Sequence, residues 1–527
     1  MNVIVSKANR ALALPRTEAL TNMFPEAKVL SRPEGDLAVV KHGLAEYVLL
    51  RRMGYRLPNP MNCYYEWPVG QPFDVQRVTC SLLTANPRAY VLNDMGTGKT
   101  KAALWAWDYL YGNGYAKKLI VAAPLSTLDR VWAHEVFATL PHRKAVVLHG
   151  VKKKRLERLA DLEADIFIIN HDGLKVLQEE LAKRKDIDVL VIDELATYRN
   201  KNQRSLTMMK FAKDKKWVWG MTGSPMPNEP TDVWMQCQIV TPHTVPKFKT
   251  HARDMLMNKK NEFLWVPKAT AVPTAFSWMQ PAVRFSLDDV VELPDIVERF
   301  VDIPLGVKQR KVYDTLARDF QVQVGNDQIN AVNAAAAMSK LLQISGGYVY
   351  STKLGTVELD ADDRKRMLRD LIQSATGKVL VFAPFRHMVL GLSKYLTGDG
   401  DKDPDYVEHA VVHGEVPYGQ RKDIFTLFQD TPKLKAIIAH PGCMAHGLTL
   451  TAADTIIWYC PITSLEIYEQ ANARIRRIGQ KHRQQILHLQ GTPVEKRIYS
   501  LLRAKAKVQD KLLTLFENAT TMAQTGQ

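Results

Sequence analysis

The chain has 527 residues, 46 % of them hydrophobic, enough for several cores, since single cores stop growing near ~250–300 residues. Its formal charge of +16 favours a polyanionic partner, because clustered Lys and Arg gain from neutralising phosphates. Five cysteines (Cys63, Cys80, Cys237, Cys443, Cys460) form no CxxC pair, which argues against a disulfide framework and a structural zinc site and fits a reducing cytosol, and no apolar run reaches the ~18 residues of a membrane span, so a soluble, unsecreted protein is expected.

In chain order, residues 1–65 read as a small mixed accessory or DNA-structure recognition unit. Extended runs lie around Val3–Val5 and Leu37–Val40, a helical run extends from Leu44 to Met53, and Leu57-Pro-Asn-Pro60 makes a stiff turn. Residues 66–245 alternate short apolar strands with helices: Ala89–Leu92, Lys118–Ala122, Ala145–Leu148, Ile166–Ile169, Val189–Ile192 and Trp217–Met221. Strands apolar on both faces belong to a parallel sheet covered by helices. Residues 246–365 break the rhythm with charged helical stretches and prolines, which predicts helical protrusions and a linker. A second series fills 366–492, with strands at Lys378–Phe382, Val407–Val412, Lys435–Ile438, Thr455–Trp458 and Gln485–Leu489. Residues 493–527 predict a basic helical brace and a frayed tail. The expected fold class is α/β, with two lobes and a cleft between them.

The strongest local signal is Val91-Leu-Asn-Asp-Met-Gly-Thr-Gly-Lys-Thr100, a strand, a Gly-bearing turn and a helix start. Asp94, Met95, Gly96, Thr97 and Gly98 form a loop whose amides can cradle phosphate oxygens, Lys99 can reach the β and γ phosphates, and Thr100 can ligate magnesium. The P-loop pattern has a further glycine where this chain has Asn93, a residue that enters the left-handed region readily. Val189-Leu-Val-Ile-Asp-Glu194 supplies the acidic partners: Asp193 for Mg²⁺ and Glu194 to polarise the attacking water. Gln76, in Pro72-Phe-Asp-Val-Gln76, offers a donor and an acceptor that suit the edge of adenine. Thr222 and Ser224 mark a polar turn after a strand that could report nucleotide state. The implied cofactors are ATP and Mg²⁺.

In the second series, Gln470-Ala-Asn-Ala-Arg-Ile-Arg-Arg-Ile-Gly-Gln480 predicts a helix with Arg474 and Arg477 on one face, suited to the equatorial oxygens of a triphosphate. Arg476 is a candidate for a DNA-facing role.

These strings resemble the SNF2-like branch of superfamily 2 helicase-type ATPases over roughly residues 70 to 500. The likeness rests on DMGTGKT at 94–100, APLSTLDRVWAHE at 123–135, DELATYRN at 193–200, TGSPMPN at 222–228, HGLTLTAAD at 446–454 and QANARIRRIGQ at 470–480. The resemblance implies two RecA-like lobes with parallel sheets, helical protrusions between them and a small N-terminal accessory unit. It also implies adenine recognition by Gln76, phosphate and metal binding by Lys99, Thr100 and Asp193, water activation by Glu194, and arginine-finger work by Arg474 and Arg477. Family members couple ATP hydrolysis to translocation along double-stranded DNA, for protein–DNA remodelling, branch migration or reannealing. The chain departs from the pattern at Ala196, at Ala473, and at Met444 and Ala445.

The chain is most similar in build to the compact bacteriophage or bacterial members, which implies a bacterial or phage-infected host cytoplasm and a monomer acting on double-stranded or branched DNA and on DNA-bound proteins. An RNA-directed ATPase and a noncatalytic DNA-binding scaffold are the alternatives. DNA-track candidates are Ser126, Thr127, His171 and Arg199 in the first lobe, and Arg386, His413, Arg421, His446 and Thr449 in the second. Lys152-Lys-Lys-Arg155 is a basic run that an exposed helix would also explain.

Overall fold

The computed structural model describes residues 3–262, 264–325, 331–351, 355–400, 403, 405–444 and 449–525. They divide into two compact units, residues 1–290 with 509–527, and residues 291–508.

The first unit opens with an antiparallel sheet of β1 (Ile4–Ser6), β2 (Ala11–Pro15), β3 (Lys28–Leu30) and β4 (Leu37–Lys41), in the order β1-β2-β4-β3. Burial alternates along β2 and β4: Leu12, Leu14, Ala38 and Val40 face inward, the pattern of a sheet covered on one side. The helix Leu44–Arg52 buries Leu44, Tyr47 and Leu50 at helical spacing. These side chains join one apolar cluster with Val91, Ala103 and Trp105 of the following α/β layer, so the N-terminal sheet shares its neighbour's core.

The α/β layer contains β5 (Arg88–Val91), β6 (Lys118–Ala123), β7 (Ala145–Leu148), β8 (Ile166–Asn170), β9 (Ile187–Ile192) and β10 (Trp217–Met221). A hairpin of β11 (Met257–Lys259) and β12 (Trp265–Pro267) follows, then the two-residue β13 (Ala282–Val283). The seven-stranded sheet runs β13-β5-β10-β9-β6-β8-β7, every pair parallel.

The second unit holds β14 (Ile296–Asp302), a hairpin of β15 (Tyr348–Ser351) and β16 (Gly355–Glu358), then β17 (Lys378–Phe382), β18 (His409–Val412), β19 (Ala436–Ala439), β20 (Ala453–Trp458) and β21 (Gln484–Gln490). Its parallel sheet runs β14-β21-β20-β17-β19-β18. Two parallel sheets clothed in helices make two RecA-like lobes. Residues 246–365, read from the sequence as helical, contain the helices Lys249–Leu256, Ala271–Trp278, Val307–Gly325 and Ala331–Ser345, but also β11 to β16. Two of those strands extend the main sheets: β13 pairs with β5, and β14 pairs with β21.

Candidate nucleotide site

β5 delivers the chain into the loop Asp94–Gly98, and the helix Lys99–Gly112 begins directly after it. Gly96 (φ 92°) and Gly98 (φ 79°) are left-handed, a conformation that glycine adopts without a β-carbon clash. Gly98 is required twice over, because a β-carbon there would run into the side-chain nitrogen of Gln76. Thr97 braces the turn by donating its hydroxyl to Asp94 O at 2.9 Å.

Asn93 corrects the sequence reading. The positive-φ residues other than glycine among those described are Arg10 and Glu194, so Asn93 does not use the left-handed region. It is 2 % exposed, and its side chain is a brace: Oδ1 accepts from Phe285 N at 3.0 Å, and Nδ2 donates to Thr79 Oγ1 at 3.1 Å. An amide replaces the glycine of the P-loop pattern because it ties the loop's root to two neighbouring segments.

The Lys99 ammonium donates to Asn93 O at 2.7 Å and Asp94 O at 3.2 Å. Burial lowers its pKa, against the opposing pull of Glu194, Asp193 and Asp94. β9, whose residues from Val189 to Ile192 are fully buried, brings Asp193 to its end, where Asp193 N donates to Ala122 O at 2.9 Å. Burial raises the Asp193 pKa, opposed by a hydrogen bond from Trp132, by Lys99 and by the Glu194 amide. Trp132 Nε1 reaches Asp193 Oδ2 at 2.9 Å, and Glu194 N reaches Oδ1 at 3.1 Å. Glu194 is left-handed (φ 51°, ψ 55°), a costly conformation for a non-glycine residue and one that clusters at functional sites.

Gln76 is buried beside the loop. Its Oε1 accepts from Phe73 N at 2.9 Å, so its acceptor closes the start of its own helix, Asp74–Ala85. Met95 and Thr100 are half-buried, Thr100 in the first helical turn. Thr222 N donates to Val91 O at 3.1 Å and Thr222 Oγ1 accepts from Ser224 N at 3.2 Å, which sets that turn against the end of β5. A partly buried ammonium held on loop carbonyls amid three carboxylates, beside a helix N-terminus and left-handed glycines, fits a nucleoside triphosphate with a divalent cation.

Sequence reasoning missed two residues here. Trp132 lies inside a quoted string, but nothing local marks its indole as the partner of Asp193. Arg284 is 190 positions from Asp94, yet its Nη1 donates to Asp94 Oδ1 at 2.6 Å. Only the fold joins them.

The arginine string of the second unit is not helical throughout. The helix Leu465–Asn472 ends within it, and residues 473–479 form turns and bends. The turns close on Gln480, whose side-chain nitrogen donates to Ala453 O at 2.9 Å and Ile475 O at 3.2 Å, after Gly479 turns left-handed (φ 98°). Leu450 N also takes Arg474 O at 3.1 Å, a carbonyl that a continuing helix would need. Arg474 is 1 % exposed with Nε on Gln470 O at 2.7 Å; Arg477 is half-buried with Nε on Ala473 O at 3.0 Å.

A model of the SNF2-related domain matches residues 80–354, and one of the helicase conserved C-terminal domain matches residues 363–479. The chain belongs to the SNF2-related family. It is therefore a helicase-type ATPase. Among its relatives is protein p41 of Acyrthosiphon pisum secondary endosymbiont phage 1, 26 % identical over 439 residues that cover 79 % of this chain and 90 % of that protein. An uncharacterized ATP-dependent helicase of Mycoplasma genitalium is 24 % identical, covering 80 % of this chain and 40 % of its own length. An ATP-dependent DNA helicase of Arabidopsis thaliana is also 24 % identical, covering 78 % of this chain and 58 % of its own. The chain thus spans most of the phage protein and about half the length of the other two. A solved Sulfolobus solfataricus SWI2/SNF2 ATPase core in complex with dsDNA is 20 % identical, covering 87 % of this chain and 96 % of that one, with a TM-score of 0.38.

The DNA-track candidates of this SNF2-related chain fare unequally. Thr127 is buried and donates its hydroxyl to Pro124 O at 2.9 Å; His171 is 8 % exposed with Nδ1 2.8 Å from the Tyr198 hydroxyl. Both are largely withdrawn from solvent, and the Thr127 hydroxyl and His171 Nδ1 are engaged within the protein. Arg421 folds onto the carbonyls of Val416, His413 and Gly414, and Arg386 pairs with Glu415 on the surface. Ser126 and Arg199 are half-buried; His413 is partly exposed, and Thr449 is exposed. His446 and Ala445 lie outside the described residues. Lys152 to Lys154 are exposed, while Arg155 is buried on Leu148 O and Gly150 O. Among the described residues, no helix is long and apolar enough to cross a membrane.

Proposed function

We propose that the chain is a DNA-stimulated ATPase that translocates along double-stranded DNA, serving protein–DNA remodelling, branch migration or reannealing. The observation that carries the reading is the meeting of Lys99, Asp193 and Glu194 at a loop with two left-handed glycines. In this reading the amides of residues 94–100 and the Lys99 ammonium hold the phosphates, and Thr100 and Asp193 hold Mg²⁺. The bound cation offsets charge on the β- and γ-phosphate oxygens. Trp132 fixes the Asp193 carboxylate, and Glu194 orients and deprotonates the attacking water. Gln76, whose Oε1 is held by Phe73 N, recognises the adenine edge. Arg477 takes part in turnover, and Arg474, being buried, supports its turn.

DNA is favoured as the track by the DNA helicase among the relatives, and the charge of +16 suits a polyanion. The phage relative favours a bacterial or phage-infected cytoplasm, and a monomer is the proposed acting form. The test is ATPase stimulation by equal nucleotide concentrations of duplex DNA, single-stranded DNA and RNA, followed by triplex-strand displacement on duplex DNA. Duplex DNA should stimulate most, with displacement that requires ATP. Stimulation by RNA alone would overturn the track, and stimulation without displacement would overturn translocation.

A further inference from the structure

Arg284 has no part in the reading above, yet it is only 6 % exposed and lies beside the loop. Its Nη1 donates to Asp94 Oδ1 at 2.6 Å and Leu92 O at 2.9 Å, while its Nε donates to Glu517 Oε1 at 3.2 Å. Its backbone nitrogen donates to Thr520 Oγ1 at 3.1 Å. Glu517 and Thr520 lie near the end of the helix Pro493–Thr525, in the portion that belongs to the first unit. The other Asp94 oxygen accepts from Leu287 N at 3.1 Å, and the Asp94 carbonyl accepts from the Lys99 ammonium. An unbroken line of contacts therefore runs from Glu517 through Arg284 and Asp94 to Lys99. Beside it, the rings of Phe276 and Phe516 pack with centroids 4.8 Å apart.

One guanidinium shared by two carboxylates positions both, because its planar fork fixes each arm relative to the other. We infer that the end of the C-terminal helix is a positioning element for the nucleotide site, with Arg284 as the link, so that docking at Glu517 and Thr520 and occupancy of the phosphate loop favour each other. This rests on the reading of residues 94–100 as an ATP loop. The coupling is reciprocal: whatever the docked helix adds to nucleotide affinity, bound nucleotide adds to docking.

The sign of one substitution separates positioning from simple electrostatics. Glu517→Lys adds positive charge near an anion site, so electrostatics alone would tighten ATP binding. Positioning predicts the reverse, because a lysine facing Arg284 pushes the helix end away. Nucleotide affinity of the full-length protein should fall about fivefold, with KM rising more than kcat falls. In Arg284→Lys, which keeps the charge and loses the fork, Glu517→Lys should add little, since the link is already cut. Amide exchange at residues 509–520 should slow when a nonhydrolysable ATP analogue binds wild type, and not when it binds Arg284→Lys. Glu517 is partly exposed, so its replacement leaves the fold intact, which a melting curve verifies. Unchanged or tighter binding in Glu517→Lys, or additive effects of the two changes, would overturn the inference. Wild type that binds no ATP, or Lys99→Ala that binds it equally well, would instead overturn the nucleotide reading.

Discussion

β5 and β17 hold similar places in the two sheets: each lies between two parallel neighbours and ends on fully buried apolar residues. Their continuations differ. After β5 come Asn93, two left-handed glycines and Lys99; after β17 come Ala383, Pro384 and an extended Phe385 (φ −129°) before the helix Arg386–Thr397. The charged groups differ in the same sense. In the first unit Lys99 and Asp193 are both pushed by burial toward their neutral forms, a state that a ligand of complementary charge would relieve. In the second unit Arg364 and Glu495 form a buried pair already satisfied by protein. Arg364 donates to Ser345 O and Leu489 O, and Glu495 accepts from Gly491 N, Thr492 N and the Thr492 hydroxyl. Burial alone would lower the Arg364 pKa, yet Glu495 beside it raises it. The same architecture thus carries one open set of charges and one closed set, and only the open set is suited to a ligand.

The sharpest way to break this contrast is to break the closed pair. Arg364→Met leaves Glu495 buried without its cation and should cost about 3–5 kcal/mol of stability, read by chemical denaturation, with ATP affinity of the folded protein unchanged. A loss of affinity at full stability would mean that the pair is not merely structural. In the open set, Lys99→Ala should lower stimulated turnover about 100-fold or more without changing the melting temperature. Glu194→Gln should slow single-turnover hydrolysis about 100-fold while ATP still binds; parallel loss of both would give Glu194 a broader structural role.

Asp232 lies between the two extremes. Burial raises its pKa to about 6, although Asn228 N and Glu229 N both donate to its carboxylate. The folded state therefore holds the proton more tightly than the unfolded chain, so this contribution to stability is full below about pH 4 and is lost as pH rises through about 6. Asp232→Asn should flatten that dependence and raise stability at pH 7 by on the order of 2 kcal/mol, measured by denaturation across the pH range. Arg477→Lys should lower stimulated turnover roughly tenfold, with DNA binding in the absence of nucleotide little changed. The opposite pattern would make this turn a DNA-contact surface.

What the sequence showed and what it hid follow from burial. The inner strands β5, β6, β8, β9 and β10 were legible because strands covered on both faces must be apolar runs, and β9 is one from Val189 to Ile192. β13 is too short to leave a pattern, and β14 carries Glu298 and Arg299 on a sheet edge, where solvent tolerates charge. The loop at Gly96 and Gly98 was legible because its backbone demands glycine, whereas the role of Asn93 depends on Phe285 and Thr79, which no local window contains. The turn at 473–479 is hidden for a similar reason: Leu450 N takes the Arg474 carbonyl and Gln480 reaches Ala453 O, both from outside the string. Arg284 was invisible because both of its acidic partners are distant in the chain.

The shared core of the N-terminal sheet has a consequence for how the molecule comes apart. Leu12, Leu14, Val40 and Leu50 belong to the same cluster as the apolar side chains of β5 and the helix Lys99–Gly112. The first 65 residues are therefore not an exchangeable cassette: grafting a foreign head in their place, or clipping them with a protease, would strip the covering from the interior behind the phosphate loop. In calorimetry the head and the nucleotide-binding lobe should melt as a single cooperative foldon, and bound nucleotide should move both halves of that transition together.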